Sequence, residues 1–169
     1  MQNTLKNVLF AFICMSIAAT SVCAQPSQAS KVLARGGGKT IIEGGTGQAG
    51  GFVPVITTIA FHAERHGQMV SGDFECLALA PSAASGNGSG QFTVNAMYVT
   101  GEITSVETEG DTATLKGMAT VTGLGAGHNQ SFTLVVRKGG PGATSVLIVS
   151  GFTFHEILLE GSFDVAGDD

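Results

Sequence analysis

Residues 112–121 read Thr-Ala-Thr-Leu-Lys-Gly-Met-Ala-Thr-Val, and every second position is apolar or glycine. A period of two places Ala113, Leu115, Gly117, Ala119 and Val121 on one face of a β-strand and Thr112, Thr114, Lys116, Met118 and Thr120 on the other. Inside the run lies a pentad, apolar–polar–Gly–x–apolar, at Leu115–Ala119. The same pentad recurs at Val70–Phe74, Val99–Ile103 and Leu159–Phe163, with the glycine on the face of its apolar neighbours. A glycine on the inward face lets a strand coil sharply, or admits a large side chain from across the core. Both uses belong to a barrel. The pentads are unevenly spaced, so they do not mark a solenoid repeat.

The same signals extend in both directions. Phe52–Glu64 is rich in β-branched and aromatic residues, with Pro54 suited to a strand start or an edge. Met69–Leu79 alternates, carrying Val70, Gly72, Phe74, Cys76 and Ala78 on one face. Pro81–Gly90 is a polar loop. Phe92–Glu107 supplies one long strand or two short ones, and residues 108–111 turn the chain. Phe132, Leu134 and Val136 share a face, Gly139-Gly140-Pro141-Gly142 reads as a turn, and Ser145–Leu159 and Glu160–Val165 supply the last strands. Beyond the N-terminal segment no run of ten residues has helical apolar spacing. The expected fold is all-β, a single antiparallel β-barrel of roughly eight strands, with a β-sandwich carrying glycine bulges as the alternative. Residues 144–154 (TSVLIVSGFTF) favour the barrel, because an uncharged, proline-free, β-prone segment invites aggregation unless it is paired on both sides.

The N-terminus has the three parts of a secretory signal. Lys6 is the positive region, Val8–Ala19 an apolar stretch too short to span a bilayer, and Val22-Cys23-Ala24 offers small residues for cleavage before Gln25. Residues 1–24 are therefore read as a signal peptide, 25–38 as a flexible leader and 39–169 as the β domain. The expected location is exported, periplasmic or extracellular, with no membrane-spanning segment after cleavage. An outer-membrane barrel is disfavoured by the absence of Trp and the single Tyr98, which cannot build aromatic girdles.

Composition narrows the function. Charged residues make up 12% of the chain and there are 25 glycines, far from the usual share of about 25% charged and about 7% glycine. Losing Lys6 with the signal takes the basic count from 8 to 7 against 13 acidic residues, a net charge of −6, so no nucleic-acid partner is expected. Cys14 and Cys23 leave with the signal, and Cys76 stands alone on an apolar face, where an inert buried thiol is the default.

Residues 106–123 (VETEGDTATLKGMATVTG) followed by residues 131–142 (SFTLVVRKGGPG) resemble the small β domains of bacterial exported proteins called post-COAP domains. Their pattern is a G-x-x-A-x-[LF]-x-G-x-A-x-V strand, then F-T-[LV]-x-V and a G-x-P-G turn, and the likeness covers roughly residues 67–151. It implies an exported β module without established catalytic residues. Arg137, Lys138 and Ala143 stand where such domains carry acidic residues beside the turn, so no cation site is carried over.

Motifs that suggest chemistry do not hold together. Gly36-Gly37-Gly38-Lys39-Thr40 ends like a phosphate-binding loop, but the motif's first glycine would fall on Leu33 and no helix follows. Gly45-Thr46-Gly47-Gln48-Ala49-Gly50 matches a dinucleotide fingerprint, yet Phe52-Val53-Pro54-Val55 after it is strand, not the helix start that holds a pyrophosphate. His62 and His66 lie about 13 Å apart on one strand face, from about 3.3 Å per residue, too far to share a metal. His155 and Glu156 face opposite ways. No cofactor and no metal site are expected.

Three functions follow in order. The first is a non-enzymatic exported module, structural, adhesive or partner-binding, acting through its surface or loops. The second is a carrier holding a small apolar ligand inside the barrel, with Phe61, Phe74, Phe92, Phe132, Phe152, Phe154 and Phe163 as the ligand-binding candidates. The third is an enzyme using Glu64, Glu75, Glu102, His62 or His155 at the barrel mouth. Interior space separates them: a pocket above about 300 Å³ favours the carrier, and a filled core favours the surface module.

Overall fold

The computed structural model describes residues 30–42, 55–81 and 92–167. The chain forms eight strands, β1 (Lys31–Ile42), β2 (Ile56–His66), β3 (Met69–Pro81), β4 (Phe92–Glu109), β5 (Thr112–Gly123), β6 (Gly127–Arg137), β7 (Thr144–Val149) and β8 (Phe152–Val165). Each pairs antiparallel with the next, and β8 returns to β1 to close a barrel in chain order. No helix occurs among the described residues. The inward sets read from the alternation are buried: Ala113, Leu115, Ala119 and Val121 on β5, Phe74, Cys76 and Ala78 on β3, and Phe132, Leu134 and Val136 on β6. Residues 144–149 of the uncharged segment are paired by β6 on one side and β8 on the other, so closure removes the edge they would expose.

Two aromatic pairs fill the interior. The Phe74 and Phe132 rings stack at 5.0 Å, and Phe61 meets Phe163 at 5.5 Å, all four nearly or fully buried. The pentad glycines make room for them in two distinct ways. A side chain on Gly101 would meet the Phe132 ring at 2.7 Å, so this glycine admits a side chain. A side chain on Gly117 would first collide with the carbonyl oxygen of Glu102 on β4, with the Phe132 ring next at 2.9 Å. Here the glycine lets two backbones approach.

The structure corrects the sequence reading at three places. The flexible leader was expected through residue 38, but β1 begins at Lys31 and Gly36, Gly37 and Gly38 are strand residues. They pair with Phe61, Ala60 and Ile59 on one side and with Phe163, Ser162 and Gly161 on the other. Side chains on Gly36 and Gly38 would run into the β8 backbone at Ser162 and Glu160, so the run is glycine because β8 lies so close, not because the chain is loose. Leu159 was expected inward but is exposed. Thr40 pairs with Leu158 and Lys39 with Glu160, which leaves Leu159 as the extra residue of a bulge that reverses the phase of the strand. Residues 152–165 are accordingly one strand rather than parts of two.

Residues 139–142 turn the chain as expected, with Ala143 donating to Gly140 at 2.9 Å, and they also extend the sheet. β7 has only 6 residues against 14 in β8. The segment after β6 fills the gap: Gly139 and Phe163 exchange backbone hydrogen bonds at 3.0 and 2.8 Å, Gly142 donates to Leu158, and Leu158 donates to Ala143. The expected signal peptide, residues 44–51, Pro54 and the loop beyond Pro81 lie outside the described residues.

The two glycine roles are separable. Gly101→Ala and Gly117→Ala are each expected to cost about 1–3 kcal/mol from overpacking. Trimming the ring with Phe132→Leu relieves the main clash at Gly101 but only the lesser one at Gly117, so the double-mutant coupling measured by urea denaturation should exceed about 1 kcal/mol with Gly101→Ala and be clearly smaller with Gly117→Ala. Equal couplings would contradict the distinction.

Candidate functional site

The barrel's interior polar groups gather at one level. The register sets Thr40 opposite Thr57 across β1 and β2, and Ile42 opposite Glu156 across β1 and β8. Thr40, Thr57 and Glu156 all point inward and are buried, Glu156 with 2% of its surface exposed. The Thr57 hydroxyl donates to Glu156 Oε2 at 2.6 Å, the Thr40 hydroxyl donates to the same oxygen, and the two hydroxyls touch each other. Glu156 Oε1 has no hydrogen-bond partner among the described residues, and neither does the buried hydroxyl of Ser145, the residue opposite Glu156 on β7. Burial pushes the Glu156 carboxyl above its ordinary pKa, and the two threonine hydroxyls only partly oppose that. Cys76 faces the same interior. Burial, with a smaller contribution from Glu156, pushes its thiol well above the ordinary range, which makes it a poor nucleophile.

Glu156, Thr57 and Cys76 form part of the wall of a cavity of about 80 Å³ at the end of the barrel where β1 stops and β2 begins. The rest of the wall is apolar, supplied by Ile42, Val55, Ala78, Met97, Leu147 and Phe154 among others. Of the six phenylalanines with described side chains that were expected to line a ligand space, Phe154 alone reaches this cavity. Phe61, Phe74, Phe132 and Phe163 pack one another as core. Phe152 stacks on Phe154 at 6.0 Å, and Phe92 is placed only as the first residue of β4, opposite Pro81.

The acid–base candidates lie on the outside and are not brought to one place. Glu64 sits on the outer face of β2 between His62 at 3.8 Å and His66 at 2.7 Å, and accepts a hydrogen bond from Ser30 at 2.8 Å. The His66 contact first, then Ser30, holds this exposed carboxyl below its usual pKa. Glu75 and Glu102 line an outer groove of about 600 Å³ across β3, β4 and β5, with Asp73, Thr100, Met118 and Asn129, and no histidine is in its wall. Asp73 and Glu102 are directly opposite, a like-charge pair that costs stability. His155 is exposed on β8. No group of three or more His, Cys, Asp or Glu side chains among the described residues is placed to hold a metal ion.

Glu156 is the residue that sequence reasoning missed. The pentad at Leu159–Phe163 sets a phase that turns His155 inward and Glu156 outward, and the bulge at Leu159 inverts it. A signal was present: Phe154, Glu156 and Leu158 alternate as one set, with a carboxylate in phase with apolar neighbours. No family model, curated protein or solved structure matches the chain.

The buried carboxyl leaves a signature in stability. Well below the ordinary carboxylate pKa of 4.5, Glu156 is protonated in both folded and unfolded chains and carries no penalty. As pH rises from there toward the raised folded value, the unfolded chain releases its proton first, so stability contributed at this position is lost over that window. In urea titrations from about pH 4 to about pH 8 the protein should lose stability relative to Glu156→Gln as pH rises. A constant difference across that range would show that the carboxyl is not held protonated by the fold.

Proposed function

We propose that the chain is a non-enzymatic exported β module, placed in the periplasm or outside the cell, that acts on its partner through its outer wall and end loops. The observation that carries the reading is the filled interior. The stacked Phe74–Phe132 pair and the tilted Phe61–Phe163 pair occupy the space that the inward glycines open, and the cavity of about 80 Å³ at the mouth is well short of the 300 Å³ or so of an ordinary ligand pocket. Among the described residues this supports action through the surface over carriage of a lipid-sized or drug-sized cargo. The acid–base candidates point the same way, since Glu64 and His66 pair on an exposed strand face while Glu75 and Glu102 line a groove without a histidine. The likeness of residues 106–142 to exported post-COAP β domains supports the same reading.

Native mass spectrometry on the protein recovered from the exported fraction tests it. The expected result is the mass of the chain alone, beginning at Gln25, or of a bare oligomer. A lipid-sized organic mass that survives gentle ionisation and leaves on activation would overturn the reading in favour of an interior carrier.

A further inference from the structure

The cavity at the barrel mouth has a composition that core packing does not require. Its wall is apolar except for Thr57, the thiol of Cys76 and the carboxyl of Glu156, and that carboxyl has one oxygen satisfied by two hydroxyls and the other by nothing among the described residues. A barrel needing only stability at this level would place a leucine there, since replacing a buried polar group by an apolar one of similar shape is near neutral or favourable. We propose that this mouth is a binding site for a small, uncharged molecule, an aliphatic chain of a few carbons ending in a hydroxyl or carbonyl oxygen, which hydrogen-bonds to Glu156 while its chain lies against Ala78, Met97, Leu147 and Phe154.

Size and chemistry both set the ligand class. A cavity of 150 Å³ takes benzene, so about 80 Å³ takes roughly three or four heavy atoms. A carboxyl in an apolar wall accepts a hydrogen bond from a hydroxyl group when ionised, and when protonated offers an O–H donor and an acceptor together, so it complements a hydroxyl in either form. Rotation about χ3 of a glutamate is a broad, two-fold torsion, so the unpartnered oxygen can be exchanged toward the cavity without moving the backbone. The titratable group facing Glu156 from β3 is Cys76, itself neutral. Thr40 and Thr57 face it from β1 and β2, and Ser145 from β7, none of them charged. No cation in this set would favour an anionic ligand, and the apolar wall that desolvates Glu156 would equally penalise the charge of an amine. The site goes beyond the surface-acting reading, because a ligand of this size binds weakly and is lost on purification.

The probes are 1-propanol, propylammonium and acetate, each of four heavy atoms, added to the protein at millimolar concentrations. Binding is followed by amide NMR shifts and by the rate at which methyl methanethiosulfonate labels Cys76, read on the Cys76 peptide. Propanol should shift the amides of Thr57, Ala78, Met97 and Leu147 saturably and slow Cys76 labelling at least threefold, with the charged probes doing neither. Glu156→Gln, which keeps a donor and an acceptor, should bind propanol within about threefold of the original, and Glu156→Leu should lose at least tenfold while keeping the barrel's circular dichroism. Binding of propylammonium abolished in Glu156→Gln would overturn the assignment in favour of a charged carboxylate site. No saturable shift with any probe in the native protein, or undiminished propanol binding in a folded Glu156→Leu, would overturn it altogether.

Discussion

The barrel depends on how closely β8 can lie against β1. Antiparallel strands bring backbones within hydrogen-bonding distance everywhere, but a small barrel must also bend them over one another, and at the bends the inward side-chain positions run out of room. At Gly36 and Gly38 the position where a Cβ would stand is already taken by the backbone of Ser162 and Glu160. The last ring of the core, Phe163, then seats directly over Gly36, against Phe61. An alanine in this run would push the strands apart and leave β1 and β8 as two open edges, and the uncharged strand β7 beside them makes that costly. Closure, the aromatic pairs and the buried register all rest on the missing side chains.

The sequence is legible where one residue in two faces the core without interruption. Residues 112–121, 69–79 and 132–136 state their faces plainly, because an unbroken period of two has only one phase to choose from each burial pattern. The pentads were legible as a barrel device, though not in their two uses: whether a glycine admits a ring or a neighbouring carbonyl depends on which strand lies beside it, and that is a fact of register. Gly36–Gly38 misled for the same reason. A glycine run has no side-chain pattern to read, so looseness and extreme closeness look identical until the partner strand is known.

The polar level at the mouth shows what a single bulge does to such a reading. One extra residue at Leu159 moves everything before it in β8 to the opposite face, so a phase taken from Leu159–Phe163 places Glu156 in solvent when it lies in the core. Its partners Thr40 and Thr57 come from strands more than 90 positions earlier in the chain, a separation no local pattern can bridge. Bulges re-aim side chains, and here the re-aimed one is a carboxyl set into an otherwise apolar wall.

The strands that close the barrel are the first and the last to be made. Ala34 pairs with Val165, so the decisive contact spans nearly the whole domain, and a chain with so distant a closing contact is expected to fold slowly. Without β8, strands β1 and β7 would each be left with an unpaired edge. The closed fold is thus an all-or-none property of the eight strands together: seven of them, however well patterned, enclose no core until β8 is there to pair with both β7 and β1.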